Sequence, residues 1–237
     1  MTNGKKILIS GATGLIGRTL TLLLAQRQAQ DPGLQVVALV RRKVPDFPPS
    51  VSQVIVDYAA GADGLTAALT AAGCTGGWDA VACCIGSTMR AAGSEAAFLK
   101  IERDIPLTLV QFALAQTKRP LFLFVSSLGA GKPMGFYLQT KASVEKAIRD
   151  SGLPHAIVRP SLLMGDRTEH RPGERFAQLT MPALFNILAL TPVRCTEWFR
   201  RYRPIHADVV ARAMAAAIFA DVASPGVLEG SQLIAPP

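Results

Sequence analysis

The run Gly11-Ala12-Thr13-Gly14-Leu15-Ile16-Gly17 constrains this chain more than any other stretch. It follows directly on Lys5-Lys6-Ile7-Leu8-Ile9-Ser10 and leads into Arg18-Thr19-Leu20-Thr21-Leu22-Leu23-Leu24-Ala25. The first segment is short, apolar and partly β-branched, which reads as a buried strand. The last has helical character. Strand, glycine-punctuated turn and helix in that order make the phosphate cradle of a dinucleotide-binding fold. Gly11 permits a tight turn, Gly14 lets backbone amides come close to a pyrophosphate, and Gly17 lets the helix pack closely on the strand. The helix start adds free N–H groups and a positive dipole end. Three spaced glycines alone also mark ordinary loops; the strand-to-helix context is what gives these their meaning. Thr13, Leu15 and Ile16 lie in the same turn, and with the three glycines they are expected to line the cofactor.

Strands and helices then alternate. Gln35–Val40, Val51–Val56, Ala80–Ile85, Leu121–Val125 and His155–Val158 read as the second to sixth strands. Gly64–Ala72, Ala96–Gln116 and Tyr137–Ser151 read as helices. Pro106 starts a new segment inside the long one, because proline removes an internal hydrogen bond. The alternation argues for an α/β fold with a Rossmann-type, doubly wound parallel sheet. Its crossovers are right-handed. Beyond Pro160 the alternation fades, although Ala207–Phe219 still reads as an Ala-rich helix. The chain is expected to be a single domain over 1–237, with about 160–237 covering the carboxyl edge of the sheet, where ligands bind in this architecture.

Composition excludes several alternatives. The chain has 237 residues, 49% of them hydrophobic, enough for one domain with an ample core. Its net charge of +8 is scattered, apart from Arg41-Arg42-Lys43 and Arg200-Arg201-Tyr202-Arg203. That favours a basic enzyme with an anionic cofactor over a nucleic-acid binder. Four cysteines are too few for a disulfide scaffold, and none has CxxC spacing, so no metal site is expected. The chain enters a strand almost at once and has no apolar run long enough to span a bilayer. The cytoplasm is the expected compartment.

Two constellations carry chemistry. In an NAD site an acidic residue near the end of the second strand binds the ribose hydroxyls. Here that position is Val40, followed by Arg41 and Arg42. The acid is missing, and two guanidiniums stand where a 2′-phosphate would sit, so NADP(H) is favoured over NAD(H). The second is Tyr137-Leu138-Gln139-Thr140-Lys141, with a phenol and an ammonium one helical turn apart on one face. A nearby ammonium stabilises a phenolate and fits the tyrosine for acid–base work. Lys141 would also hold the nicotinamide ribose. Ser127, at the end of the fifth strand, would donate a hydrogen bond to a substrate oxygen. A lone Tyr-x-x-x-Lys is usually a surface pair; a glycine loop and a strand ending in Ser-Ser raise the functional reading.

With these in place the chain resembles the short-chain dehydrogenase/reductase superfamily. Shorter stretches narrow the resemblance. They are Cys84-Ile85-Gly86-Ser87-Thr88 with Arg90, Val125-Ser126-Ser127-Leu128-Gly129-Ala130, Phe136-Tyr137-Leu138-Gln139, Arg159-Pro160-Ser161-Leu162-Leu163, and Asp166-Arg167 with Glu169 and Arg171-Pro172-Gly173-Glu174. They are similar to the Tat-interacting-protein-like oxidoreductases, an atypical branch related to NmrA-like proteins. The resemblance implies NADPH on a Rossmann fold with catalytic Ser127, Tyr137 and Lys141. It also implies Asp57 at the adenine, Cys84, Ile85 and Gly86 beside the adenosine ribose, and Pro160, Ser161, Leu162 and Leu163 bordering the nicotinamide. Asp57 reads equally well as a strand-end turn residue. The chain departs from the usual superfamily pattern in having Cys-Ile-Gly for Asn-Ala-Gly, and in a short serine-to-tyrosine spacing.

The expected substrate is a small carbonyl or alcohol. A non-enzymatic NADPH sensor or partner-binding protein is the alternative. Arg167, Glu169, Arg171, Glu174 and Arg175 read as an exposed charged loop or a substrate contact. Phe176–Phe199 reads as a helical lid or, with the basic run after it, as a peripheral membrane surface. His206 is expected to be structural, with Asp208 near a helix start. A monomer or weak homodimer is expected.

Overall fold

The computed structural model of the chain describes residues 4–164, 203–220 and 225–234. In chain order these form β1 (Lys6–Ser10), α1 (Leu15–Gln28), β2 (Gln35–Val40), β3 (Val51–Ile55), α2 (Gly61–Ala71), β4 (Ala80–Cys83), α3 (Met89–Ala92) and α4 (Glu95–Leu99). There follow α5 (Ile105–Leu114), β5 (Leu121–Val125), α6 (Gly135–Asp150), β6 (His155–Arg159), β7 (Leu163–Met164), β8 (Ile205–His206), α7 (Ala207–Phe219), β9 (Gly226–Glu229) and α8 (Ser231–Ile234).

Seven strands form one parallel sheet in the order β3-β2-β1-β4-β5-β6-β9. The strands are near-continuous apolar runs because helices cover both faces. On β1, Ile7 and Ile9 face one layer and Leu8 the other. Ile7, Ile9, Val36 and Val158 pack with Leu20 and Leu24 of α1 and Val210 and Met214 of α7. Leu8, Val37, Phe122 and Phe124 pack with Leu65, Leu109, Phe112, Val144 and Ile148 on the opposite side. Each fully buried side chain of this size contributes about 1.5–3 kcal/mol. The sheet is wound outward in both directions from β1, with β2 on one flank and β4 on the other. The crevice at that switch point is where this architecture binds its ligand.

The helical stretch before β5 is interrupted as Pro106 requires. Lys100–Asp104 forms a wide π-type turn between α4 and α5, and Pro106 falls in the first turn of α5. Proline has no N–H to offer the carbonyl four residues back, and a widened turn absorbs the defect.

The described elements of the C-terminal region include β8, α7, β9 and α8. α7 does not cover the carboxyl edge; it packs along α1, and its face Ala207, Val210, Ala211, Met214 and Ile218 is core. β9 extends the sheet beyond β6, pairing Ala156 to Arg159 with Gly226 to Glu229. The physical reason is α1, whose apolar residues Leu20 and Leu24 need a second helix beside them to be excluded from water. Leu163–Met164 and Ile205–His206 form a separate two-stranded parallel ribbon. His206 is the N-cap of α7 but its side chain makes no capping bond to the helix, and Asp208 in the first turn pairs with Arg212. The charged segment Arg167 to Arg175, and Phe176 to Tyr202, lie outside the described residues.

Candidate functional site

The loop after β1 is built around close backbone contacts. Gly11 has φ +75°, and a Cβ there would lie 2.5 Å from the carbonyl carbon of Cys84. A Cβ on Gly17 would lie 2.2 Å from Gly11 O. Gly17 thus packs the helix against the turn itself. Gly14 differs: the nearest atom to a Cβ there is Gly11 O at 3.3 Å. Gly14 caps α1 without a side chain, and the N–H groups of Leu15, Ile16 and Gly17 meet no acceptor among the described residues. Orphan N–H groups at a helix start, facing room left by a missing side chain, suit an anion such as a pyrophosphate. Ala12 is buried under the turn and Thr13 is exposed on it. A nucleotide therefore fits the cradle.

The remaining cofactor candidates gather along the same edge. Arg41 and Arg42 leave β2 exposed to solvent, and neither pairs with a carboxylate among the described residues. Arg18, in the first turns of α1, lies 3.7 Å from Asp46 and 5.6 Å above the Phe47 ring. Asp57 ends β3, and its Oδ1 accepts from Ala59 N at 2.9 Å, capping the short turn Tyr58–Ala60. Cys84 N donates to Ser10 O at 2.9 Å, which seats Cys84-Ile85-Gly86 against the glycine loop. Burial pushes the Cys83 thiol up to about 12 and the Cys84 thiol higher still, so both stay neutral. Pro160 O accepts from Leu128 N at 2.9 Å, Ser161 Oγ donates to Arg203 O at 2.5 Å, and Leu162 is exposed. Leu163 belongs to the small ribbon.

The three catalytic candidates sit at the exits of β5 and the start of α6. Ser127 is half-buried, and its Oγ makes a long 3.4 Å contact with Leu128 O. Tyr137 lies in the first turn of α6, 37% exposed, with its ring centroid 5.9 Å from that of Phe98. Lys141, one turn on, is buried. Its Nζ donates to Val125 O at 2.9 Å, the last residue before Ser126-Ser127, and lies 4.9 Å above the Phe124 ring.

The lysine has a buried partner that the Tyr-x-x-x-Lys reading did not include. Lys141 Nζ lies 2.7 Å from Glu102 Oε2. Burial pulls the ammonium's pKa down; Glu102, with Tyr137 and Cys83 beside it, pushes it up, and the net direction is up. Glu102 had no place in the sequence reading, because it stands in the charged run Lys100-Ile101-Glu102-Arg103-Asp104, which reads as a solvated helix face. The available signal was Pro106 four residues on, which forces the wide turn that points Glu102 inward.

A family model described as NAD(P)H-binding matches residues 11–180. The chain is 32% identical over 179 residues to the protein HTATIP2 of Rattus norvegicus, covering 73% of this chain and 69% of that protein. It is 28% identical over 182 residues to the mitochondrial protein fmp52 of Emericella nidulans, covering 75% of each. In fold it is similar to the Bordetella bronchiseptica enzyme WbmH in complex with NAD+, with a TM-score of 0.64 at 18% identity over 90% of this chain and 72% of that one. It is equally similar to ElxO with NADP bound, with a TM-score of 0.64 at 12% identity over 92% of each chain. No helix among the described residues is long and apolar enough to cross a membrane, and no group of metal-ligating side chains stands together among them. The glycine cradle at the sheet's switch point, the family match over residues 11–180 and the likeness to HTATIP2 agree: the chain belongs to the NAD(P)H-binding family, among the atypical short-chain dehydrogenases/reductases of the Tat-interacting-protein-like kind.

Proposed function

We propose that this protein is an NADP(H)-dependent oxidoreductase acting on a carbonyl or alcohol. The observation that carries the reading is the placement of Tyr137, half-open to solvent, one helical turn from the buried ammonium of Lys141 at the exit of β5. When bound, the nicotinamide supplies hydride chemistry. Tyr137 donates its hydroxyl proton to the carbonyl oxygen, and Ser127 donates a hydrogen bond to the same oxygen. Lys141 places positive charge near the phenol, where negative charge develops as the proton leaves. Arg41 and Arg42 hold the 2′-phosphate of NADP(H), with Asp57 at the adenine and Cys84, Ile85 and Gly86 beside the ribose. Pro160, Ser161, Leu162 and Leu163 border the reacting end. The reading goes with a monomer or weak homodimer in the cytoplasm and no nucleic-acid partner; light scattering checks the first of these, cell fractionation the second and a gel-shift titration with DNA and RNA the third.

A screen of aldehydes and ketones with NADPH oxidation as readout tests the reading. Turnover of one class at rates lost in Tyr137→Phe is the expected result. One observation favours a second reading, a non-enzymatic NADPH sensor: Lys141 already has its charge matched by Glu102. Tight NADPH binding without reduction of any carbonyl would select that reading and overturn the first.

A further inference from the structure

Among the described residues, Lys141 and Glu102 form the most deeply buried ion pair, with side chains 3% and 1% exposed. We propose that Glu102 is a positioning residue of the active site, whose carboxylate keeps Lys141 seated and charged at the exit of β5 and acts on substrate only through it. The inference rests on Lys141 belonging to the site, as argued above.

One carboxylate reaches three pieces of the site. Glu102 Oε2 lies 2.7 Å from Lys141 Nζ. Glu102 Oε1 accepts a short hydrogen bond from Ser87 N and stands 3.4 Å from where a Cβ on Gly86 would be. Gly86 and Ser87 continue the loop from Cys84 that leans on the glycine turn. Lys141 Nζ in turn donates to Val125 O at 2.9 Å, directly before Ser126-Ser127. Glu102 therefore ties the loop after β4, the lysine of α6 and the end of β5 to one another. The wide turn Lys100–Asp104 ahead of Pro106 holds it there.

Chemistry explains why a carboxylate is needed. A buried ammonium without a counter-charge gives up its proton rather than bear the loss of water. The groups facing Lys141 are Glu102 on the wide turn, Tyr137 on α6, and the thiols of Cys83 and Cys84 at the end of β4. Burial keeps both thiols protonated. The phenol is neutral in its proton-donating form. Glu102 is left as the anion that holds the lysine's proton. An apolar side chain of equal volume would fill the space without desolvating a charge, so packing alone does not account for an acid here.

The test is a lysine titration. Protein carrying 13C-labelled lysine is followed by NMR from about pH 6 to about pH 10.5, with the Lys141 signal identified by its absence in Lys141→Met. In the wild type Lys141 is expected to stay protonated across the range. In Glu102→Gln, which keeps an acceptor for Ser87 N, its midpoint should fall inside the range, lower by about one pH unit or more, a tenfold loss of proton affinity. Calorimetry should then show NADPH affinity within about threefold of wild type below that midpoint, and falling about tenfold or more above it. Glu102→Asp should restore part of the lysine's charge. A wild-type Lys141 that titrates well below the range's upper end, or a midpoint unchanged in Glu102→Gln, overturns the proposal. So does a lowered midpoint with NADPH affinity unaffected. If Glu102→Gln folds poorly, the double variant Glu102→Gln/Lys141→Met, with both charges removed, should be the more stable of the two; the reverse order counts against the pair. The titration uses neither nucleotide nor carbonyl. An absence of turnover therefore speaks against the oxidoreductase reading, and the lysine's midpoint against this one.

Discussion

The Ser126 hydroxyl donates a 2.6 Å hydrogen bond to Glu145 Oε1, so the residue before Ser127 is tied to a fully buried carboxylate on α6. Arg159 at the end of β6 grips the same carboxylate with two bonds, Nε to Oε1 at 2.9 Å and Nη2 to Oε2 at 2.6 Å. Arg149 adds a third at 3.1 Å, and Arg159 Nη1 reaches Glu229 on β9 at 3.2 Å. The ends of β5, β6 and β9 are thereby fixed to α6, which carries Tyr137 and Lys141. Ser126 serves this anchor, whereas the half-buried Ser127 beside it makes only a long 3.4 Å contact with Leu128 O.

Glu145→Ala should therefore destabilise the protein by about 3 kcal/mol, because it leaves the Arg159 guanidinium, whose side chain is only 11% exposed, with Glu229 as its one remaining carboxylate among the described residues. Burial pushes the Glu145 carboxyl up, but the hydrogen bonds from Arg159, Ser126 and Arg149 pull it further down, and the net direction is below its ordinary 4.5. A carboxyl depressed in the folded state contributes stability that is fully present above its unfolded value and is lost as pH falls through the folded one. Urea midpoints at a series of pH values check this. Glu145→Gln should be the less stable protein at neutral pH, with the gap to wild type closing below about pH 4.

The glycine loop separates a packing glycine from a ligand glycine. Alanine at Gly17 would set its methyl 2.2 Å from Gly11 O, a backbone atom that cannot swing aside. Gly17→Ala should cost about 1–3 kcal/mol or more, read by thermal melting. Alanine at Gly14 meets nothing closer than 3.3 Å. Gly14→Ala should stay within about 1 kcal/mol of wild type yet bind NADPH at least about tenfold more weakly, since its methyl occupies the approach to the pyrophosphate.

How far the sequence announces all this depends on which forces leave a local mark. The central strands were legible because strands buried on both faces are apolar through their middle, as Ile7-Leu8-Ile9 and Phe122-Leu123-Phe124 are, and the edge strand β3 because Val51 and Val54 still mark its buried side. β9 was not, because Gly226-Val227-Leu228-Glu229 is short and on the sheet's edge, where only Leu228 is buried. Glu102 and Glu145 were hidden for another reason. A charge in a helical segment reads as solvated, and its buried partner comes from a distant part of the chain. Glu145 did leave a trace, being four residues after Lys141 and on the same stripe as Val144 and Ile148. Two opposite charges on the buried face of one helix require partners across the fold.

Arg41 and Arg42 stand exposed at the end of β2 where an NAD site would carry an acid. NADPH should bind at least about tenfold more tightly than NADH, roughly 1.4 kcal/mol, and the preference should shrink in Arg41→Ala. Because these guanidiniums are solvated, the preference should also weaken as salt rises. Calorimetric titration of both nucleotides at two ionic strengths checks each point. Equal affinities in the wild type would remove the case for NADP(H).

Tyr137→Phe and Lys141→Met should fail in different ways. The Tyr137 ring packs on Phe98, with centroids 5.9 Å apart, and phenylalanine keeps that contact while losing the proton donor. Turnover of a reducible carbonyl should fall by about 10²- to 10⁴-fold with NADPH affinity nearly unchanged. Lys141→Met removes the charge beside the phenol and leaves Glu102 buried without its cation. This variant should lose turnover, NADPH affinity and stability together. Single-turnover kinetics, calorimetry and melting on the two variants separate these outcomes. Full turnover in Tyr137→Phe would mean that the proton comes from elsewhere.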